Sequence, residues 1–366
     1  MHQHKTAAWP LSLMYVVLLV YASLYPFAEW RDQGIAPWAF LQAPLPRYWT
    51  GFDVAINLLG YAPLGGLLAL SVVRTRSSRH AVLLPFLFAV VLSLVMESLQ
   101  TYLPARFPSR EDWLLNSGGA WLGAVSTLVL ERLGAIDRWS QIRARWFVEQ
   151  SRGGIVLLAT WPLALLFPAA VPFGLGQVME RGLEALAEQL QGSPFLEWLP
   201  LDEVGLRPLI PSAEMLCVLL GVLIPCLLGF CIIHSAARRA VLVLMVLAAG
   251  VTATGLSAAL SWGPAHAWAW LDLPAQFGLV GAAVLALALV IVPWRASAAL
   301  ALLALGVYLS ILNQAPANPY LAQTLFAWEQ GRFIRFNGLA QWLGWFWPYA
   351  TLLYVLSQLW QRDVKN

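Results

Sequence analysis

Charge is scarce in this chain. Asp, Glu, Lys and Arg together supply 11% of its 366 residues, where a soluble domain carries about 25%. That shortage excludes a soluble enzyme and a disordered chain, both of which depend on charged or polar surface. A net charge of only +3 excludes a nucleic-acid binder, which needs a strong basic face. Cysteine is nearly missing. Cys217, Cys226 and Cys231 all fall in one apolar run, and two cysteines of one helix cannot meet disulfide geometry, so they read as small core residues. The five histidines, His2, His4, His80, His234 and His266, lack metal-ligand spacing such as HExxH. No metal site and no cofactor is expected. The P-loop, the Rossmann glycine pattern and the GxSxG elbow are also missing.

What the chain has is apolar surface. Hydrophobic residues make up 60% of it, and they come in runs. A membrane helix needs about 20 mostly apolar residues. Ten segments are predicted: 9–25, 54–73, 81–99, 113–131, 154–175, 212–233, 240–260, 274–293, 297–312 and 339–358. The fold class expected is therefore all-α, a polytopic transmembrane bundle. The first segment reads as an uncleaved helix and not a signal peptide, because large residues (Leu24, Tyr25, Phe27) follow its apolar run where a cleavage site needs small ones.

Lys and Arg are retained on the cytoplasmic side. With both termini inside, fourteen of the 22 basic residues fall on the inner face, but only four of the 19 acidic ones. The reverse topology would put that positive surface outside. The expectation is an integral protein of the cytoplasmic (inner) membrane with both termini cytoplasmic. Tryptophans near span ends, such as Trp9, Trp49, Trp113, Trp262 and Trp294, match interfacial anchoring.

Charged and amide side chains in or beside spans are costly and mark candidate sites. Asp53 and Asn57 open the second span at i, i+4, on one face. Glu97 and Gln100 close the third, with Ser93 one turn deeper. Arg106, Arg110, Glu111 and Asp112 fill the short loop, and Asn116 follows Asp112 at i, i+4. Asp53, Asn57, Glu97, Gln100, Arg106, Arg110, Asp112 and Asn116 are the expected substrate-binding set, converging on an outer mouth. Arginines there suit phosphate recognition, being bidentate and always charged. Two carboxylates in different environments suit acid–base work, which makes Glu97 and Asp112 the catalytic candidates. The structural alternative is that Asp53, Asp112 and Asn116 cap helix starts while Glu97 pairs with an arginine. In the fourth span Gly119 and Gly123 are four apart, which lets helix backbones approach closely. Pro63, Gly65 and Gly66 suggest a kink in the second.

The pattern Asp53-xxx-Asn57-xxxxx-Pro63-x-Gly65, Glu97-xx-Gln100, Arg106-xxx-Arg110-x-Asp112-xxx-Asn116-xx-Gly119 resembles that of the VanZ-like membrane family. The tract Tyr25-Pro26-Phe27 fits too, and Gly331 to Leu339 is similar to a tract of its longer members. The resemblance spans about residues 9–131. It implies a protein of the cell envelope. The family takes its name from a protein linked to low-level teicoplanin resistance, and its biochemical activity is not established. No catalytic role is therefore carried over, and glycopeptide resistance is not implied for every member.

The chain also reads as a repeat. Asp53-xxxx-Leu58-Leu59-Gly60 aligns with Glu214-xxxx-Leu219-Leu220-Gly221, Asp112-xxx-Asn116-x-Gly118 with Asp272-xxx-Gln276-x-Gly278, and Pro26-Phe27 with Pro172-Phe173. The domain reading is a VanZ-like four-span unit (1–131), a cytoplasmic basic linker (132–153), a degenerate four-span unit with an outer amphipathic segment (154–293) and two C-terminal spans with a tail (294–366). Asn57 maps to Val218 and Glu97 to Ser257, so the second copy is expected to be scaffold. Residues 177–191 read as an amphipathic helix packed on the membrane or the bundle. Arg332 and Arg335 in 313–338 read as snorkelling to bilayer phosphate or as additions to a phosphate or glycan site.

Three functions follow as expectations. The first is binding or translocation of an amphiphilic or lipid-linked molecule, a glycan or polyprenyl phosphate, at the outer leaflet, with membrane lipid as partner. The second is an intramembrane acid–base hydrolase or transferase. The third is a structural partner of envelope-assembly proteins. No nucleic-acid partner is expected.

Overall fold

The computed structural model describes residues 8–25, 27, 29–44, 51–75, 80–166, 169–178, 182–183, 186–187, 189–198, 209–315 and 334–363. Among them the secondary structure is helical, apart from an isolated bridge between Phe147 and Ile233. The helices are α1 (Ala8–Leu24), α2 (Gly51–Thr75), α3 (Leu83–Gln100), α4 (Arg110–Arg132), α5 (Ala135–Trp146), α6 (Arg152–Ala164), α7 (Pro211–Ile232), α8 (Ala236–Trp262), α9 (Leu273–Ala288), α10 (Trp294–Leu312) and α11 (Ile334–Asp363). Seven of them, α2, α3, α4, α7, α8, α9 and α10, are long and apolar enough to cross a membrane, and α1 adds a shorter apolar run, Leu11–Leu24. The chain is a multi-pass membrane protein. It forms two compact units, Met1–Ile142 and Arg143–Asn366.

In the first unit α2 and α4 touch backbone to backbone. A Cβ built on Gly123 would lie 1.9 Å from the Ala62 carbonyl oxygen, one on Gly119 2.3 Å from that of Leu58, and one on Gly65 1.9 Å from that of Ala120. The small-residue spacing of the fourth span thus sets the crossing, and Gly65 serves the same contact from α2. The α1 helix is fastened to α2 by the Tyr15 hydroxyl, which donates to the Gly60 carbonyl at 2.8 Å. A small core of Leu19, Tyr61, Leu64, Leu68, Ala89 and Ala120 fills the space between. On α3, Leu84, Leu87, Phe88, Val91 and Val95 are exposed. Their helical spacing makes one apolar face, which in a bilayer meets lipid.

The second unit is built around α7. Its residues from Val222 to Ile232 are all buried, as expected of a helix apolar on every side. The α9 and α10 helices flank it, and α6 pairs with α11. The three cysteines are buried along α7, and none of them forms a disulfide. The buried Arg239 donates to the carbonyls of Ile233, Val290 and Val292 at 3.1, 3.0 and 2.6 Å. It binds the C-terminus of α7 to the end of α9.

One expectation meets a different structure. The span predicted over 154–175 stops as a helix at Ala164. Pro172 cannot donate to a helical ladder, and Phe173 adopts φ +62°. The chain beyond is irregular yet buried, with Phe173 only 2% exposed. Irregular backbone away from water must find partners inside the protein, and here it does. The Tyr308 hydroxyl donates to the Phe173 carbonyl at 2.6 Å and accepts the Leu175 amide. Asn313 accepts from the Val178 amide at 3.1 Å, Gly176 N–H donates to Gly344 at 2.8 Å, and the Tyr349 hydroxyl donates to Gly176 at 3.2 Å. Within residues 132–153, read from the sequence as a basic linker, lies the twelve-residue helix α5. The amphipathic segment 177–191 falls partly outside the described residues, as do Arg332 and the side chains of Arg335 and Asn337.

The units share local features. The second helix of each packs on the fourth through glycine: Gly278 of α9 would set a Cβ 2.7 Å from the Met215 carbonyl oxygen of α7. Phe27 and Phe173, each after a proline, both take positive φ, +60° and +62°.

Candidate functional site

The predicted polar set assembles where α2, α3 and α4 meet the α3–α4 loop. Ser109 has extended backbone and caps α4, its hydroxyl accepting from the amides of Glu111 and Asp112. Asp112, freed from the capping role, accepts from Asn57 Nδ2 at 2.7 Å. One turn on, Asn116 Nδ2 donates to Ser93 Oγ at 3.1 Å. Asn57, Ser93 and Asn116 are buried, so these two bonds tie α4 to α2 and to α3 within the helical bundle.

Glu97 and Arg106 answer helix ends. Glu97, 3% exposed, accepts the Ser109 amide through Oε2 at 2.8 Å. Its negative charge therefore sits against the positive N-terminus of α4. Arg106, 8% exposed, donates through Nε to the Tyr25 carbonyl at 2.8 Å and through Nη2 to that of Ala22 at 3.1 Å. Those are the last carbonyls of α1, and a cation there is favoured by the opposite dipole end. Gln100 supports the same turn, donating to Ser23 at 3.0 Å. The loop after α1 is held in place as well: Arg31 N–H donates to Tyr102 at 3.0 Å and Gln33 to Thr101 at 2.7 Å.

Of the eight predicted residues, Asn57 and Asp112 meet directly. Glu97, Gln100, Arg106 and Asn116 join the same junction through backbone or Ser93. Arg110 is exposed and opens α4. The side chain of Asp53 lies outside the described residues, although its backbone belongs to α2. Sequence reasoning missed Ser109, whose signal was there: Ser109-Arg110-Glu111-Asp112 is a capping-box pattern before an apolar run. The arrangement restrains carboxylates as acceptors and arginine as a donor to backbone. Chemically it fixes helices at a membrane-span end and leaves Arg110 and the 86%-exposed Phe107 to face outward.

Residues 4–131 match the family model described as VanZ/LLP1. No curated protein and no solved structure matches the chain.

Proposed function

We propose, from a chain that is VanZ-like over residues 4–131, a cytoplasmic-membrane protein that binds or translocates an amphiphilic or lipid-linked molecule at the outer leaflet. The carrying observation is the α3–α4 loop. Its polar groups are bound into a buried floor, while Arg110 and Phe107, three positions apart in the chain, are exposed above it. An exposed arginine and an exposed aromatic ring in one short stretch at a span end suit a molecule with an anionic head and an apolar tail. A polyprenyl phosphate or a lipid-linked glycan has both. The inner excess of Lys and Arg supports placing this loop on the outer side. Handling of such a molecule would alter envelope assembly and, through it, glycopeptide susceptibility.

The test is native mass spectrometry of the full chain purified in mild detergent. A discrete polyprenyl-phosphate or glycolipid adduct, lost in Arg110→Ala and Phe107→Ala, is the expected result. Bulk phospholipid alone, unchanged in both variants, overturns the reading. Arg106→Ala is the wrong probe, because it also uncaps α1.

A structural role in an envelope assembly is favoured by a separate observation: Glu97, Gln100 and Arg106 all bond to backbone of neighbouring segments. That role requires Arg106→Ala to lower abundance while Arg110→Ala changes nothing. The acid–base reading has no comparable observation behind it.

A further inference from the structure

The sequence pattern led to an expectation of scaffold for the second unit, yet that unit contains a cavity of about 450 Å³, within the range of small-molecule sites. It lies between Leu165 and residues 169–175, the start of α7, the end of α8 and the start of α9. Two carboxylates line it, Glu214 of α7 and Asp272 at the N-cap of α9, and no Lys or Arg does. Asp272 spends one oxygen on the Ala275 amide at 3.0 Å.

The other polar groups are also able to accept. Thr254 is 9% exposed, and its hydroxyl has no partner among the described residues. The Ser261 hydroxyl is likewise buried and unpartnered. His266 Nδ1 lies 3.0 Å from the Trp262 carbonyl oxygen. Facing an acceptor, Nδ1 carries a proton. The remaining wall is mostly aliphatic but includes three aromatic side chains: Phe173 and Trp270 meet edge to face at 5.7 Å, and Trp262 also lines the cavity.

We propose that this cavity binds an organic ammonium ion. Two carboxylates with no Lys or Arg in the lining select positive charge, aromatic faces add cation–π attraction, and the unpartnered Thr254 and Ser261 hydroxyls can accept from it. An ammonium group offers up to three N–H bonds and no acceptor. The hydrophobic lining takes its organic substituent. The ammonium group comes either from a free amine or from an ethanolamine lipid headgroup.

The full chain in detergent is titrated with benzylammonium and, separately, with its neutral counterpart benzyl alcohol, following the thermal midpoint. The expected result is a saturable rise with benzylammonium alone. Asp272→Asn retains an N-cap as good as Asp and so keeps the fold while removing charge. It and Glu214→Gln should each weaken binding by about tenfold or more, and Thr254→Val should weaken it about fivefold. In nanodiscs, native mass spectrometry identifies the source. Phosphatidylethanolamine retained over phosphatidylglycerol, released by benzylammonium and lost in the same variants, assigns the headgroup. Binding of benzylammonium without such retention assigns a free amine. An equal response to benzyl alcohol, binding unchanged in both charge-removing variants, or no response to either amine source overturns the proposal. The first and last comparisons use the unmodified chain and do not depend on how a variant folds.

Discussion

Substituting alanine for Gly123 should break the first unit more than any conservative change on its surface. The added methyl would sit 1.9 Å from the Ala62 carbonyl oxygen and 2.7 Å from its carbon. Ordinary contact begins at 3.4 Å, so α2 and α4 must separate by about 1.5 Å. The obstacle is backbone, which cannot swing away as a side chain would. Separation would also loosen the two neighbouring contacts, Gly119 on Leu58 and Gly65 on Ala120. Overpacking of a rigid contact costs about 1–3 kcal/mol, and the backbone obstacle puts this case at the top of that range. For a unit of this size about 3 kcal/mol corresponds to roughly 10 °C in midpoint. The control is Gly118→Ala on the same helix, where the methyl meets only Leu58 Cδ2 at an ordinary 3.6 Å. That variant should be neutral or slightly stabilising, since alanine is the better helix former by about 1 kcal/mol. Thermal unfolding in detergent by circular dichroism compares the two. Equal midpoints for Gly123→Ala, Gly118→Ala and wild type would refute the claim that this crossing is fixed by backbone contact.

Other substitutions test the remaining arguments. Arg106→Ala should lower stability by about 2–3 kcal/mol through loss of two charge-assisted bonds to carbonyls, with Arg106→Lys recovering part of it, as read from thermal midpoints. A double-mutant cycle on Asn57→Ala and Asp112→Ala should give a coupling of about 1 kcal/mol; strict additivity would mean that their 2.7 Å contact carries no energy. Tyr308→Phe leaves the Leu175 amide and the Phe173 carbonyl without their hydroxyl partner. A cost of about 2 kcal/mol and faster limited proteolysis within 165–178 are expected.

The helices were legible because apolar run length dictates them, and seven of the ten predicted spans reappear as helices long and apolar enough to cross a membrane. The glycine spacing of the fourth span was legible for the same reason: only small residues permit the approach. The fifth span misled because residues 154–175 are apolar throughout. Hydropathy does not distinguish a helix from buried irregular backbone whose partners, such as Tyr308 and Asn313, come from far along the chain. The polar cluster was legible as a place but not in its roles. Sequence spacing groups Arg106 with Arg110, and only packing separates an arginine turned onto the α1 carbonyls from one left exposed. Arg239 gives the same lesson: in the sequence it falls between the predicted spans 212–233 and 240–260, yet it is buried over three carbonyls. The cavity of the second unit was legible only through Glu214 and Asp272 of the repeat alignment; its isolated Thr and Ser in an apolar helix resemble ordinary filling.

The irregular segment after α6 has a consequence for biosynthesis. Residues 173–178 leave the ribosome well before the groups that receive them, since Tyr308 and Asn313 belong to the α10 region and Gly344 and Tyr349 to α11. Until then their peptide groups need other hosts, such as water, lipid headgroups or the insertion machinery. The second unit must therefore mature after translation of α11, and a chain cut after α9 should be retained by membrane quality control and degraded, even though most of its spans are present.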